Sequence, residues 1–150
     1  MELMAVLEDF EELERMVGDL YRHFSELFSA DSDVSRLFSR LSEDEESHRQ
    51  VVRYQQRLVR LSPKTFSDIE VDTEAIQDLK DRAAKLLRSR SVSVDSALGF
   101  ALDAECRAAE CHLKNALSQA NPAIANLLRG LGAGDEQHVQ LLRDFVEKRK

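Results

Sequence analysis

The sequence predicts an all-α protein, a four-helix bundle whose two helical hairpins are joined by a long crossover carrying a short extra helix. Three observations carry this reading. Only two prolines and five glycines occur in 150 residues, and Leu, Ala, Glu, Arg and Ser dominate, so little interrupts helix. Apolar residues recur at steps of four and three along four long segments, the mark of a helix with one buried stripe. Between the second and third of these segments lie roughly thirty residues, where an up-and-down bundle would use a short loop. The length fits one domain, residues 1–150, with room for a core.

The first helix is expected from Leu3 to about Ser29. The second begins after Asp33 as N-cap and stops before Ser62-Pro63-Lys64, where proline forbids continuation. A linker reaches Asp72, and TEAIQDLKDRAAKLL then forms the short helix, with Ile76, Leu79, Ala83 and Leu86 on one face. The third long helix starts near Ser93 or Asp95 and runs to Gln119. The fourth has Asn121 as cap and Pro122 at its first position, and continues to the end.

The stripes contain residues that do not belong in a core. The first reads Leu3, Leu7, Phe10, Glu14, Val17, Tyr21, Phe24, Phe28, and the second Val34, Phe38, Leu41, Glu45, His48, Val52, Gln55, Val59. The third reads Val94, Leu98, Leu102, Glu105, Ala109, His112, Ala116, and the fourth Ile124, Leu128, Leu131, Asp135, His138, Leu142, Phe145. Each long helix thus points a carboxylate inward near its middle. Glu43, Asp44 and Glu46 fall off the stripe and read as solvated acids. A buried unpaired carboxylate costs several kcal/mol, and four together also repel. Two divalent ions would neutralise them. A shift of 90 residues lays Val34, Leu41, Glu45 and His48 on Ile124, Leu131, Asp135 and His138. Two such helix pairs about a pseudo-two-fold axis would place equivalent ligands around one centre.

Net charge is −7 with a pI near 5.1, which disfavours nucleic acid as a partner. The N-terminus MELMAVLEDFEEL is too polar for a signal peptide, and no apolar run approaches membrane length. The expectation is a cytoplasmic protein without membrane contact. Cys106 and Cys111 form no CxxC pair and read as free thiols packed at helix interfaces.

With Glu on the first and third helices and Glu-x-x-His or Asp-x-x-His on the second and fourth, the chain resembles the rubrerythrin-like branch of the ferritin-like superfamily. ELERMVGDLY, LSEDEESH, ALDAECRAAECH and LGAGDEQH carry the resemblance, which covers nearly the whole chain. It implies a ferritin-like bundle with two iron ions, for which manganese or zinc could substitute. Glu14 and Glu105 would be terminal ligands, Glu45 and Asp135 bridging or near-bridging ones, and His48 and His138 would hold one metal each. It also implies a homodimer. Three features depart from the family: Asp135 replaces Glu, Ala108 replaces a further Glu, and no rubredoxin-type cysteine pairs follow. They put full rubrerythrin peroxidase activity in doubt.

Tyr21 and His112 occupy equivalent positions of the repeat, and as core residues with capped polar tips they are preferred over hydrogen-bond partners of the ligands. His23 lies off the stripe and reads as a surface residue. Gly130, Gly132 and Gly134, just before Asp135, would let helices approach and allow the turn to distort. The shorter Asp135 would leave the metal beside His138 the weaker of the two. Imidazole and carboxylate with open positions suit iron or manganese better than closed zinc. The expected function is a di-iron oxidoreductase reacting with peroxide or dioxygen, in oxidative stress or iron handling. Its electrons would come from a separate donor protein or from ferrous iron. The rival is a helical interaction module with a structural metal or none.

Overall fold

A computed structural model describes residues 3–66 and 71–150. Those residues form five α-helices and no strand: α1 Leu3–Leu27, α2 Ser32–Leu61, α3 Glu74–Leu87, α4 Val94–Leu117 and α5 Pro122–Arg149. The all-α class and the element order are as expected, although part of the linker before Asp72 lies outside the described residues. No helix among the described residues is long and apolar enough to cross a membrane.

The helix ends follow local chemistry. The N-cap of α2 is Asp31 rather than Asp33, and its Oδ1 accepts the Val34 N–H at 3.3 Å. Asp33 sits instead in the first turn, where a negative charge meets the positive end of the helix dipole. Ser93 caps α4 through Ser96 N, and Asn121 caps α5 through Ala123 N. Between α1 and α2 the Ser25 and Ser35 hydroxyls each donate to the other's carbonyl, at 2.9 and 2.8 Å. That exchange closes the first hairpin.

Helix α1 packs on α2 and α4 on α5, and the two hairpins meet along α2 and α5. Helix α3 lies against both α1 and α4, burying Ile76, Leu79 and Ala83. The chain leading into it is held from α4: Asn115 accepts from Asp72 N at 3.0 Å and donates to Asp72 O at 3.1 Å. Phe24 meets Phe38 edge-on at 5.1 Å, and Tyr21, Phe10 and Leu128 complete a core with almost no solvent access. The α2 stripe buries Gln56 rather than Gln55. Beyond Val52 a helical face needs a step of four, and Gln56 donates to Glu11 at 2.9 Å.

Candidate metal centre

The six stripe residues meet in the interior. Glu14, Glu45, Glu105, Asp135 and His138 are buried, and the His48 side chain keeps 19% exposure. Four helices therefore bring four carboxylates and two imidazoles to one place. His48 Nδ1 lies 3.4 Å from Glu45 and 3.5 Å from Glu14. His138 Nδ1 lies 3.2 Å from both Glu45 and Glu105. The two rings stand with centroids 4.7 Å apart. One ring nitrogen can hold a single proton, so two carboxylate oxygens at the same distance from it cannot both be satisfied. Both oxygens of Glu45, and Asp135 Oδ2, have no hydrogen-bond partner among the described residues. Such groups are costly in a dry interior.

The grouping differs from the expected partition. Glu45, His48 and His138 place ligand atoms within 4.8 Å of one another, and Glu14, His112 and Asp135 form a second such set. His48 and His138 thus converge on one point. Asp135 is not among the acids paired with His138, its neighbour on α5, and its Oδ2 lies 3.5 Å from His112 Nε2. The short aspartate reaches the nearer imidazole on α4.

Three further corrections concern the surroundings. Tyr21 and His112 are not simply capped core residues. Tyr21 donates its hydroxyl to Glu105 Oε1 at 2.7 Å, and His112 faces Asp135. Measured along its own helix each lies two turns from that helix's inward acid, Glu14 or Glu105, about 10 Å, but the reach across to the facing helix is short. Asp44 is not a purely solvated acid: half-exposed, it lies 3.3 Å from His138 Nε2. His23 is half-buried, with Nε2 2.9 Å from Ser89 O. Cys106 and Cys111 are free and stand outside both ligand sets.

Glycines explain how the histidines fit. Helix α5 runs unbroken through Gly130, Gly132 and Gly134, and none of them adopts positive φ. Their role is space rather than distortion. A Cβ on Gly134 would overlap His48 Nε2, and one on Gly132 would stand 3.2 Å from His112 Cβ. Gly134→Ala should raise helix propensity by up to about 1 kcal/mol yet push the His48 ring aside. We expect metal affinity to fall roughly 10–100-fold, as when support for a ligand is lost. Gly99, where an added Cβ meets nothing within 4 Å, should accept Ala with no change in affinity. Calorimetric titration of both variants tests this, and equal affinities would remove the steric role of Gly134.

The electrostatics show how the protein holds these acids without metal. Burial, and then repulsion from Glu14 and Glu105, push Glu45 far above the usual carboxylate range. The same two influences raise Asp135. Burial would also raise Glu14, but its close neighbours Glu45 and His48 outweigh that and hold the group low. Both upward shifts favour the protonated forms of Glu45 and Asp135 beside Glu14 and Glu105. Burial drives His112 down to about 4, so it is neutral at neutral pH. Burial lowers His138 too, but contacts with Glu105 and Asp44 win and raise it.

A void of about 10 Å³ lies among Glu14, Glu45, Glu105 and Asp135, with Leu79 of α3 and Ala108 of α4 on its wall. It is the size of one water or ion. On the α2–α5 side a groove of about 370 Å³ reaches His48 and His138, lined also by Asp44, Ser47, Gly134 and Gln137. The centre is closed toward α3 and approachable between α2 and α5.

Compared with protein-family models, curated proteins and solved structures, the chain matches none. Its chemistry is therefore read from its own residues. Tyr21 illustrates what they can establish. Tyr21→Phe leaves Glu105 Oε1 without its shortest donor, and hydrogen bonds to charged groups contribute about 1.5–3 kcal/mol. Urea unfolding of the metal-free variant should show a loss of that order. An unchanged midpoint would mean that Glu105 does not depend on the hydroxyl.

Proposed function

We propose that this chain is a ferritin-like, rubrerythrin-related di-iron oxidoreductase that passes electrons to hydrogen peroxide or dioxygen. One observation carries the reading: carboxylates and imidazoles from four helices converge in a buried cluster whose Glu45 oxygens and Asp135 Oδ2 have no hydrogen-bond partner among the described residues. The donor set fits iron or manganese, being imidazole and carboxylate without thiolate. Glu14, Glu45, His48, Glu105, Asp135 and His138 would hold the two ions. Iron bound there would supply one-electron cycling between ferrous and ferric states.

The chain's own residues do the rest. Burial and the neighbouring acids favour the protonated forms of Glu45 and Asp135 in the metal-free protein, and ligation requires the carboxylates. Tyr21 holds Glu105 in place through its 2.7 Å hydrogen bond. The groove between α2 and α5 admits a small polar oxidant to the His48 and His138 edge. Leu13, Val17 and Leu79 keep the opposite side apolar. Ala108 stands at the void where a further glutamate would be needed for a carboxylate-exchange peroxidase. Oxidation of ferrous iron, or peroxide reduction with an external electron donor, suits this site better.

The test is metal analysis of protein produced with iron, followed by anaerobic ferrous loading and mixing with peroxide. About two irons per chain, oxidised by peroxide faster than free ferrous iron, are expected. A protein that takes up no iron, or whose bound iron is inert to peroxide and dioxygen, would overturn the proposal.

A further inference from the structure

We propose that His112 is a metal ligand, and that with Glu14 and Asp135 it forms the second metal position of this centre. The inference rests on the dimetal reading but changes who binds what. A family-like partition gives each ion one histidine from an Asp/Glu-x-x-His pair. Here both of those histidines are spent on one position, with Glu45, as their ring centroids 4.7 Å apart attest. Asp135 is not among the acids paired with His138, and the imidazole it does pair with is His112, at 3.5 Å.

Four observations make His112 more than a core histidine. It is buried, with Nε2 3.5 Å from Asp135 Oδ2, and neither that oxygen nor the ring's other nitrogen, Nδ1, has a hydrogen-bond partner among the described residues. A histidine kept for packing would be expected to satisfy its nitrogens with carbonyls. Its ligand atom lies within 4.8 Å of those of both Glu14 and Asp135. Its ring is oriented by an edge-on contact with Phe10, centroids 4.6 Å apart. Gly132 leaves open the space its Cβ occupies. The imidazole also supplies the reach that aspartate lacks, about one methylene short of glutamate.

The two positions then differ in kind. One has two imidazoles and one carboxylate, and the other two carboxylates and one imidazole. A borderline-soft ion such as cobalt(II) should fill the nitrogen-rich position first and the oxygen-rich one second. Cobalt(II) titration followed by visible absorption should show two steps in the wild type. In His112→Phe, which keeps a ring but no donor, the second step should weaken at least about a hundredfold while the first stays. Two unaltered steps in that variant would overturn the role of His112 and leave the dimetal reading standing. No binding to the wild type would overturn both.

A measurement on the wild type guards against a variant that fails to fold. With nitrogen-labelled histidine and an NMR-active cadmium isotope, scalar coupling to cadmium is expected at His48, His112 and His138. His23, the fourth histidine, bonds to Ser89 O away from the centre and serves as the uncoupled reference. Cadmium coupling at His48 and His138 but not at His112 would also sink the inference.

Discussion

Saturating the metal-free protein with a divalent ion is expected to raise its Tm by about 8–16 °C, and by more at pH 8.5 than at pH 6.5. A ligand at about 1,000 times its Kd stabilises by roughly 4 kcal/mol, and for a chain of this size each kcal/mol moves Tm about 2–4 °C. The pH dependence follows from the direction of each shift. Glu45 and Asp135 are raised, so their contribution is full below the ordinary carboxylate range and is lost as pH rises through their folded values. His138 is also raised, so its contribution is lost above about 6.5. Glu14 and His112 are depressed, and theirs are complete above roughly 4.5 and 6.5 and lost only on acidification. Above pH 6.5 the falling contributions therefore act alone, and metal-free stability declines toward pH 8.5. The ion, which needs the deprotonated acids, binds more tightly over the same range. Urea unfolding of chelated and loaded protein at both pH values should show the gap widening. Parallel profiles would mean that these carboxylates and the metal do not share a site.

Glu45→Gln is expected to act in opposite directions on the two forms of the protein. Glutamine is a neutral isostere of the protonated acid that these surroundings favour. It escapes the penalty that burial and the neighbouring acids place on ionised Glu45, so the metal-free variant should gain on the order of 1 kcal/mol at pH 8. Metal binding beside His48 and His138 should fall by more than the roughly 10–100-fold typical of a lost supporting residue, because a ligand itself is gone. Glu46→Gln is the reference. Glu46 is exposed and paired with Arg49 at 3.0 Å, a surface contact contributing about 0–1 kcal/mol. It should leave metal affinity unchanged. Equal metal loss in the two variants would defeat the distinction between inward and outward acids. A Glu45→Gln protein less stable than its parent at pH 8 without metal would show that Glu45 is not under electrostatic stress. The pattern expected is a functional site maintained at a cost to the metal-free fold.

Much of this was legible because a helix repeats on a fixed period. Glu14, Glu45, Glu105, Asp135 and His138 interrupt apolar stripes, and a residue on the buried stripe has only one way to face. All five are buried. The limit of periodicity shows at Gln55: the stripe passes to Gln56 because successive steps of three and four must average 3.6, and a short pattern does not say where the longer step falls. The cap at Asn121 was equally local, since it needs only its own side chain and the next turn of backbone, whereas the start near Ser93 or Asp95 was resolved by Ser93 accepting from Ser96 N. The expected cap Asp33 gave way to Asp31, two residues earlier, because Asp31 is the one whose side chain accepts from Val34 N.

What the sequence determined by itself was the set of inward-facing residues, because side-chain direction on a helix depends on local geometry alone. Only the tertiary structure decided how that set divides. Tyr21 and Glu105 are 84 residues apart, and His112 meets Asp135 and Glu14 across three helices. Those contacts depend on how far each side chain reaches between helices, on Asp135 being short, and on glycines at 132 and 134 that leave room for the rings of His112 and His48. Periodicity along one helix contains no distance to the next, so it could place a ligand on the correct face without naming the residue it would meet.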